Sequence, residues 1–154
     1  MSSKIDTIFS LIKTELGTLF PEHEQHTNPY DPGENTERQL LQGWGIALGP
    51  GFNSERNLSC RLSIQRTINI PLTRARYGSS LDTEKKEENE LLLLNDQFTL
   101  IKQLEKAPTL NNNDTITRFA WTGDSGIETI FAENDHYILI NSAFLIEYFE
   151  NLDN

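Results

Sequence analysis

The side chains best suited to move a proton or hold a metal near neutral pH are three histidines and a single cysteine. His23 and His26 are three positions apart and would share a face if helical. Pro21 and Pro29 bracket them, so they read instead as exposed loop side chains. His136 precedes a strand-like run, and no cysteine or serine motif accompanies it. Cys60 lies on the apolar side of an alternating segment and reads as a buried thiol. With one cysteine there is no intramolecular disulfide. Glu84, Glu87, Glu88 and Glu90 are dense enough to suggest paired carboxylates, but solvation of a helix start accounts for them. Asp124-Ser125-Gly126 reads as a polar turn. Gly49-Pro50-Gly51 lacks the glycine spacing and the following Lys-Ser/Thr of a phosphate loop. Zinc spacing, a nucleophile elbow and a dinucleotide fingerprint are all missing. The expectation is a protein with no catalytic, cofactor-binding or metal residues, and not an enzyme.

Charge supplies the next signal. The chain of 154 residues carries 13 Lys and Arg against 23 Asp and Glu, a net charge of -10. That balance argues against nonspecific nucleic acid binding and against an anionic membrane surface, both of which need clustered positive charge. Arg56, Arg61, Arg66, Arg74 and Arg76 crowd one segment, opposed only by Glu55. After Arg118 there is no Lys or Arg, and the tail holds Asp124, Glu128, Glu133, Asp135, Glu147, Glu150 and Asp153. Two readings follow. The charges pair within one sheet, or an acidic face on one copy meets a basic face on the next. A head-to-tail contact of the second kind closes into a ring when the rotation allows. Arg61, Arg66, Arg74, Arg76, Asp124, Glu128, Glu147 and Glu150 are the candidate interface residues.

The elements that must position these residues are legible from periodicity. Ile5, Ile8, Phe9, Ile12, Leu16 and Leu19 make one face of a helix over 4–20, with Ser3 and Asp6 as a capping-box pattern and Pro21 as its stop. Residues 21–43 form a long polar connector with a short helical turn at 34–41. Trp44, Ile46 and Leu48 mark a strand over 44–50, with Gly49 to Asn53 as a turn. Leu58, Cys60, Leu62, Ile64, Ile68, Ile70 and Leu72 alternate over 57–74, and Pro71 suggests that the far end is an edge or projects beyond the sheet. The longest helix spans 83–106. Its apolar stripe is Leu91, Leu94, Phe98, Ile101 and Leu104, widened by Leu92, Leu93 and Leu100. Thr115 to Thr122 reads as a strand, Gly123 to Gly126 as a hairpin turn, Ile127 to Phe131 as a short strand and Glu133 to Asp135 as another turn. Tyr137 to Phe149 closes the chain as a strand or two short strands. Trp44 and Trp121 both read as core residues. The fold class is α+β: a mainly antiparallel or mixed sheet with two helices packed on one face, in a single domain over 1–154. The other face then needs water, a lumen or a neighbour. No run is long enough to span a membrane, and the N-terminus lacks a signal-peptide pattern.

The layout resembles that of the phage tail terminator family, the minor tail or tail-completion proteins of long-tailed phages. The resemblance is carried by the N-terminal helix, the Trp44-to-Leu48 strand, the long Leu58-to-Leu72 strand, the 83–106 helix and the closing 137–149 strand. The proline-rich connector and the turn-rich strands between Ser125 and Phe131 depart from it. The resemblance implies a homohexameric ring that caps the tail tube, stops its growth and joins the head. Its partners would be other copies of itself, the tail tube protein and a head-completion or connector protein. DNA would pass through the lumen without specific binding. The implied location is the neck-proximal end of the virion tail, after synthesis in the host cytoplasm. A neck or head-completion adaptor, or a tail-tube or baseplate ring protein, is the alternative.

Overall fold

The computed structural model describes residues 3–58, 61–76, 83–111, 114–132 and 136–152. Helix α1 (Lys4–Leu19) is followed by β1 (Glu24–Gln25), a 3-10 turn (Pro32–Glu34), helix α2 (Glu37–Leu41), β2 (Gln42–Trp44) and β3 (Ala47–Leu58). Then come β4 (Arg61–Ala75), helix α3 (Thr83–Lys106), β5 (Arg118–Phe131) and β6 (His136–Asn151). The six strands form one mixed sheet in the order β1-β2-β4-β6-β5, with β3 also paired to β4. Among the described residues only the two-residue β1 runs parallel to its neighbour. The fold is α+β.

The centre of the sheet is the antiparallel pair β4 and β6, in register from Arg61 opposite Asn151 to Ala75 opposite Tyr137. Alternation along both strands sends one set of side chains to each face. Ile64, Ile68, Ile70 and Leu72 of β4 and Ile138, Ile140, Phe144, Ile146 and Tyr148 of β6 are buried on one face, here called the helix face. Helix α1 adds Ile8, Ile12 and Leu16, and α3 adds Leu93, Leu100 and Leu104, all fully buried in the same core.

Among the described residues, the opposite face is covered at one end only. There the connector lies over it as a strap. Leu40 packs with Ala75 and Tyr137, flanked by Ile130 and Ala132. Thr36 and Gln39 form a reciprocal capping box that fixes the start of α2. Toward the other end, Ser63, Gln65, Thr67, Asn69, Ala143, Leu145, Glu147 and Phe149 remain half-buried under no helix.

Several expectations are corrected. The apolar stripe of α3 is rotated: Leu91, Leu94 and Phe98 are 53%, 40% and 66% exposed, while Asn89, Leu93, Gln97, Leu100 and Leu104 face the sheet. Apolar residues occupy both sides of this helix, so periodicity alone selects the wrong one. Ser3 and Asp6 form no capping box. The Lys4 amide donates instead to the Glu150 carboxylate of β6, which also suits the positive end of the helix.

Gly49 to Asn53 lies inside β3, not in a turn, and Leu58 belongs to β3, opposite Arg61. Gly123 to Gly126 is no hairpin turn but a bulge within the continuous β5, with positive φ at both glycines. Side chains there replace part of the ladder: Asp124 Oδ1 accepts from the Gly126 amide (2.7 Å), and Ser125 Oγ accepts from the Asn141 amide (3.1 Å). The closing strand is unbroken from His136 to Asn151. Pro71 is buried inside β4 and not at an edge; β3 ends its pairing at Asn69 and β2 begins at Leu72. Its nitrogen faces that gap, where no donor is required, and its carbonyl accepts from the Gly45 amide. Trp44 is core, but Trp121 is 38% exposed. Cys60 and the turn at Glu133 to Asp135 lie outside the described residues.

Candidate interaction surface

The two connector histidines do not share a face. The His23 ring lies tilted against Phe20, centroids 4.6 Å apart, with Nε2 3.7 Å from Asp96 of α3 on the helix face. His26 reaches Thr73 on the opposite face (Nε2 to Oγ1, 2.9 Å). Extended backbone through β1 sends positions three apart to opposite sides. Neither is the exposed loop side chain expected: His26 is 3% exposed and the His23 side chain 8%.

His26 fits because Gly43 and Gly45 lie beside it. A Cβ at Gly43 would sit 1.9 Å from the Gln39 carbonyl and 2.3 Å from His26 Nε2. Burial pushes the His26 imidazole down from 6.5 to about 4, against a smaller opposing effect of the Gln39 backbone. It is therefore neutral at pH 7. Among the described residues, no three His, Cys, Asp or Glu side chains are grouped to hold a metal.

Strand parity sorts the eight candidate interface residues. Four lie on the helix face and are engaged within the chain. Arg74 grips Asp96 of α3 in a two-pronged pair, Nε to Oδ2 at 2.6 Å and a terminal nitrogen to Oδ1 at 3.1 Å. Burial pushes the Asp96 carboxyl up, but hydrogen bonds and charge from His23 and Arg74 outweigh it, and the group ends below its usual value. Asp124 Oδ2 accepts from Gln97 Nε2 (3.0 Å), which also meets the buried Ser142 hydroxyl. Glu150 holds the α1 terminus. Arg66 Nε donates to the Tyr148 hydroxyl at 3.3 Å. Burial raises the Tyr148 phenol, and the Glu150 charge adds to this, while Arg66 opposes it.

Three of the eight lie on the other face. Arg61 is exposed at the start of β4, its guanidinium 3.9 Å from the centre of the Phe149 ring. Glu147 accepts from Gln65 Nε2 at 2.7 Å and lies 3.8 Å from Arg118. Glu128 is exposed on β5 opposite Leu139. Arg76 follows β4, and its amide donates to the His136 carbonyl. The Arg-rich strand and the acidic strand are immediate neighbours, so each face carries both signs. The uncovered half of the sheet therefore presents Arg61, Arg118 and Glu147 around Leu145 and Phe149, a mixed polar and apolar surface.

The sequence reading missed the Arg74–Asp96 and Gln97–Ser142 contacts. Asp96 and Gln97 were polar interruptions in an apolar run, and that was their only signal. A shallow depression lined by Arg74, Lys85, Glu88, Asn89 and Leu92 lies at the start of α3. Asn89 there is committed to the Ala75 carbonyl, as Arg74 is to Asp96. Among the described residues no helix is long and apolar enough to cross a membrane. No protein-family model matches the chain, and no curated protein matches it.

Proposed function

We propose that this chain is a non-catalytic virion structural protein. In this reading it forms a ring, hexameric by the tail-terminator resemblance, that caps the tail tube, ends tube growth and provides the surface for joining the head. The observation that supports it is the half-covered sheet with an edge strand on each side. The uncovered half carries Arg61, Glu147, Leu145 and Phe149, and the lateral strands β3 and β5 have 12 and 14 residues. Each pairs with one neighbour only among the described residues. An edge strand offers backbone donors and acceptors to another chain. The Phe119 and Trp121 amides of β5 and the Leu48 amide of β3 are already taken by Asn111, Glu105 and Tyr30, so such pairing would use the rest of each edge. Pairing β3 of one copy with β5 of the next uses two different surfaces, the arrangement that closes into a ring. A net charge of -10 would let DNA pass through the lumen without adhering.

The test is native mass spectrometry of the purified chain, alone and with tail tube protein, followed by electron microscopy of tube lengths. A discrete ring that binds tube ends and shortens the tubes is expected. A ring that ignores tube ends would transfer the assignment to a neck adaptor. A monomer at every concentration, in both samples, would overturn the proposal.

A further inference from the structure

The outer side of α3 carries large apolar groups that the core does not use. Leu91, Leu94 and Phe98 are exposed, and Ile101 at their border is half-buried, packed in part against the chain's own core. These four positions are alternately three and four apart, the spacing of a helix-pairing seam. Scattered surface leucines are ordinary, but an aligned run on one helix is not. Along one flank of the seam stand Glu88, Asn95 and Lys102, all exposed. The other flank holds Glu90, Gln97 and Leu104, of which Gln97 and Leu104 are buried in the chain's own core.

We infer that the outer seam of α3 pairs antiparallel with the same seam of a second copy about a two-fold axis. In that register Leu91 packs against Ile101 of the partner subunit, and Leu94 against Phe98 of the partner subunit. Glu88 then faces Lys102 of the partner subunit, twice per pair, and the two Asn95 side chains meet near the axis. Parallel pairing would set the exposed flank against the buried one and leave both charges unmatched, so charge complementarity selects the antiparallel form. At the ends of the seam Glu87 approaches Glu105 of the partner subunit. Glu105 is already turned to β5, where it accepts from the Trp121 amide at 2.8 Å, so the contact is confined to the four central layers. Such a contact uses one patch on both copies and cannot itself build a cyclic ring. It is separate from the β3–β5 contact proposed above and stands or falls without it.

The test is sedimentation equilibrium of the full chain up to about 1 mM, read as the mass of each assembly and of its two-fold multiple. The parent chain is expected to show a concentration-dependent doubling of mass. Leu94→Glu, at an exposed position, should abolish the doubling while leaving the circular dichroism spectrum unchanged. Glu88→Lys and Lys102→Glu should each weaken the doubling about tenfold, since each reverses both charge pairs. The double exchange should restore it. Absence of doubling in the parent chain, doubling that survives Leu94→Glu, or charge effects that simply add in the double variant would overturn the inference. So would loss of a cyclic ring in Leu94→Glu, which would assign the seam to the ring contact. Binding of tube protein to the seam in place of self-association would also overturn it.

Discussion

The two faces of the sheet are built from the same alternating strands and end in different states. Along the central strands β4 and β6 the helix face is closed by Ile8, Ile12 and Leu16 of α1 and Leu93, Leu100 and Leu104 of α3. The other face is closed at one end by a strap held through His26, Thr73 and Leu40 and stays bare at the other. A half-buried strand pattern thus says that one face is covered. It does not say how far cover extends on the second face, because threonine, glutamine and asparagine side chains suit both a polar strap and solvent.

The contrast can be broken by truncation on each side. Leu100→Ala should cost about 2–5 kcal/mol in urea unfolding, as a fully buried leucine leaves a cavity. Leu145→Ala, on the bare half, should cost under about 1 kcal/mol in the unassociated chain. Equal losses would mean that the second face is as closed as the first.

The strap has its own signature, a pH dependence. With a folded value of about 4 against 6.5 unfolded, His26 binds its proton more readily in the unfolded chain. Stability should therefore fall as pH drops from about 6.5 to about 4, by about 3 kcal/mol at most, and level off below. His26→Gln should flatten that slope in unfolding curves taken across the range. An unchanged slope would separate the strap from the histidine.

On the helix face the corresponding polar tie is Arg74 to Asp96. Arg74→Met should cost about 1.5–3 kcal/mol near neutral pH, measured by denaturant midpoint. Because the Asp96 carboxyl is depressed in the folded chain, the stability it contributes is present above the ordinary carboxylate value and lost as pH falls through the folded one. Asp96→Asn should remove that part of the acid sensitivity. A small gain is expected at Gly17, near the end of α1, where an added Cβ meets nothing within 4 Å. Gly17→Ala should raise stability by about 0.5–1 kcal/mol in thermal unfolding, without touching either face.

Much of the fold was legible because single-sided patterns are unambiguous. Helix α1 has one apolar stripe, and that stripe is the buried one. The alternation from Leu62 to Leu72 is regular and β4 lies where it points, although the expected start at 57 falls in β3. The closing strand, apolar on both faces, runs unbroken where two short strands were also open. Helix α3 was misread because leucines occupy positions 91 to 94 without a break, covering both sides. The inner side was marked by Asn89 and Gln97, whose side chains have buried partners that no periodicity reveals. Glycine and proline misled in β3, β4 and β5, where they mark a bulge and a pairing gap inside strands, not turns between them. His26 was misplaced because its burial depends on Gly43 and Gly45, which the parallel β1–β2 pairing brings beside it, and His23 because its neighbour Asp96 lies far off in sequence on α3.

The gap opposite Pro71 divides one border of the sheet into two stretches with separate fates. A proline cannot supply a donor in any register, so no slip of the chain can zip the stretches together. The upper stretch, β2, is pinned on its outer side by β1, whereas the lower stretch, β3, has β4 as its one strand neighbour among the described residues and a single tie from the Leu48 amide to the Tyr30 hydroxyl. The lower stretch can lift away while the upper one stays shut, and its amides should trade hydrogen for deuterium sooner. The chain thus carries a built-in perforation, set by one imino acid, that limits how far a peeling edge can tear.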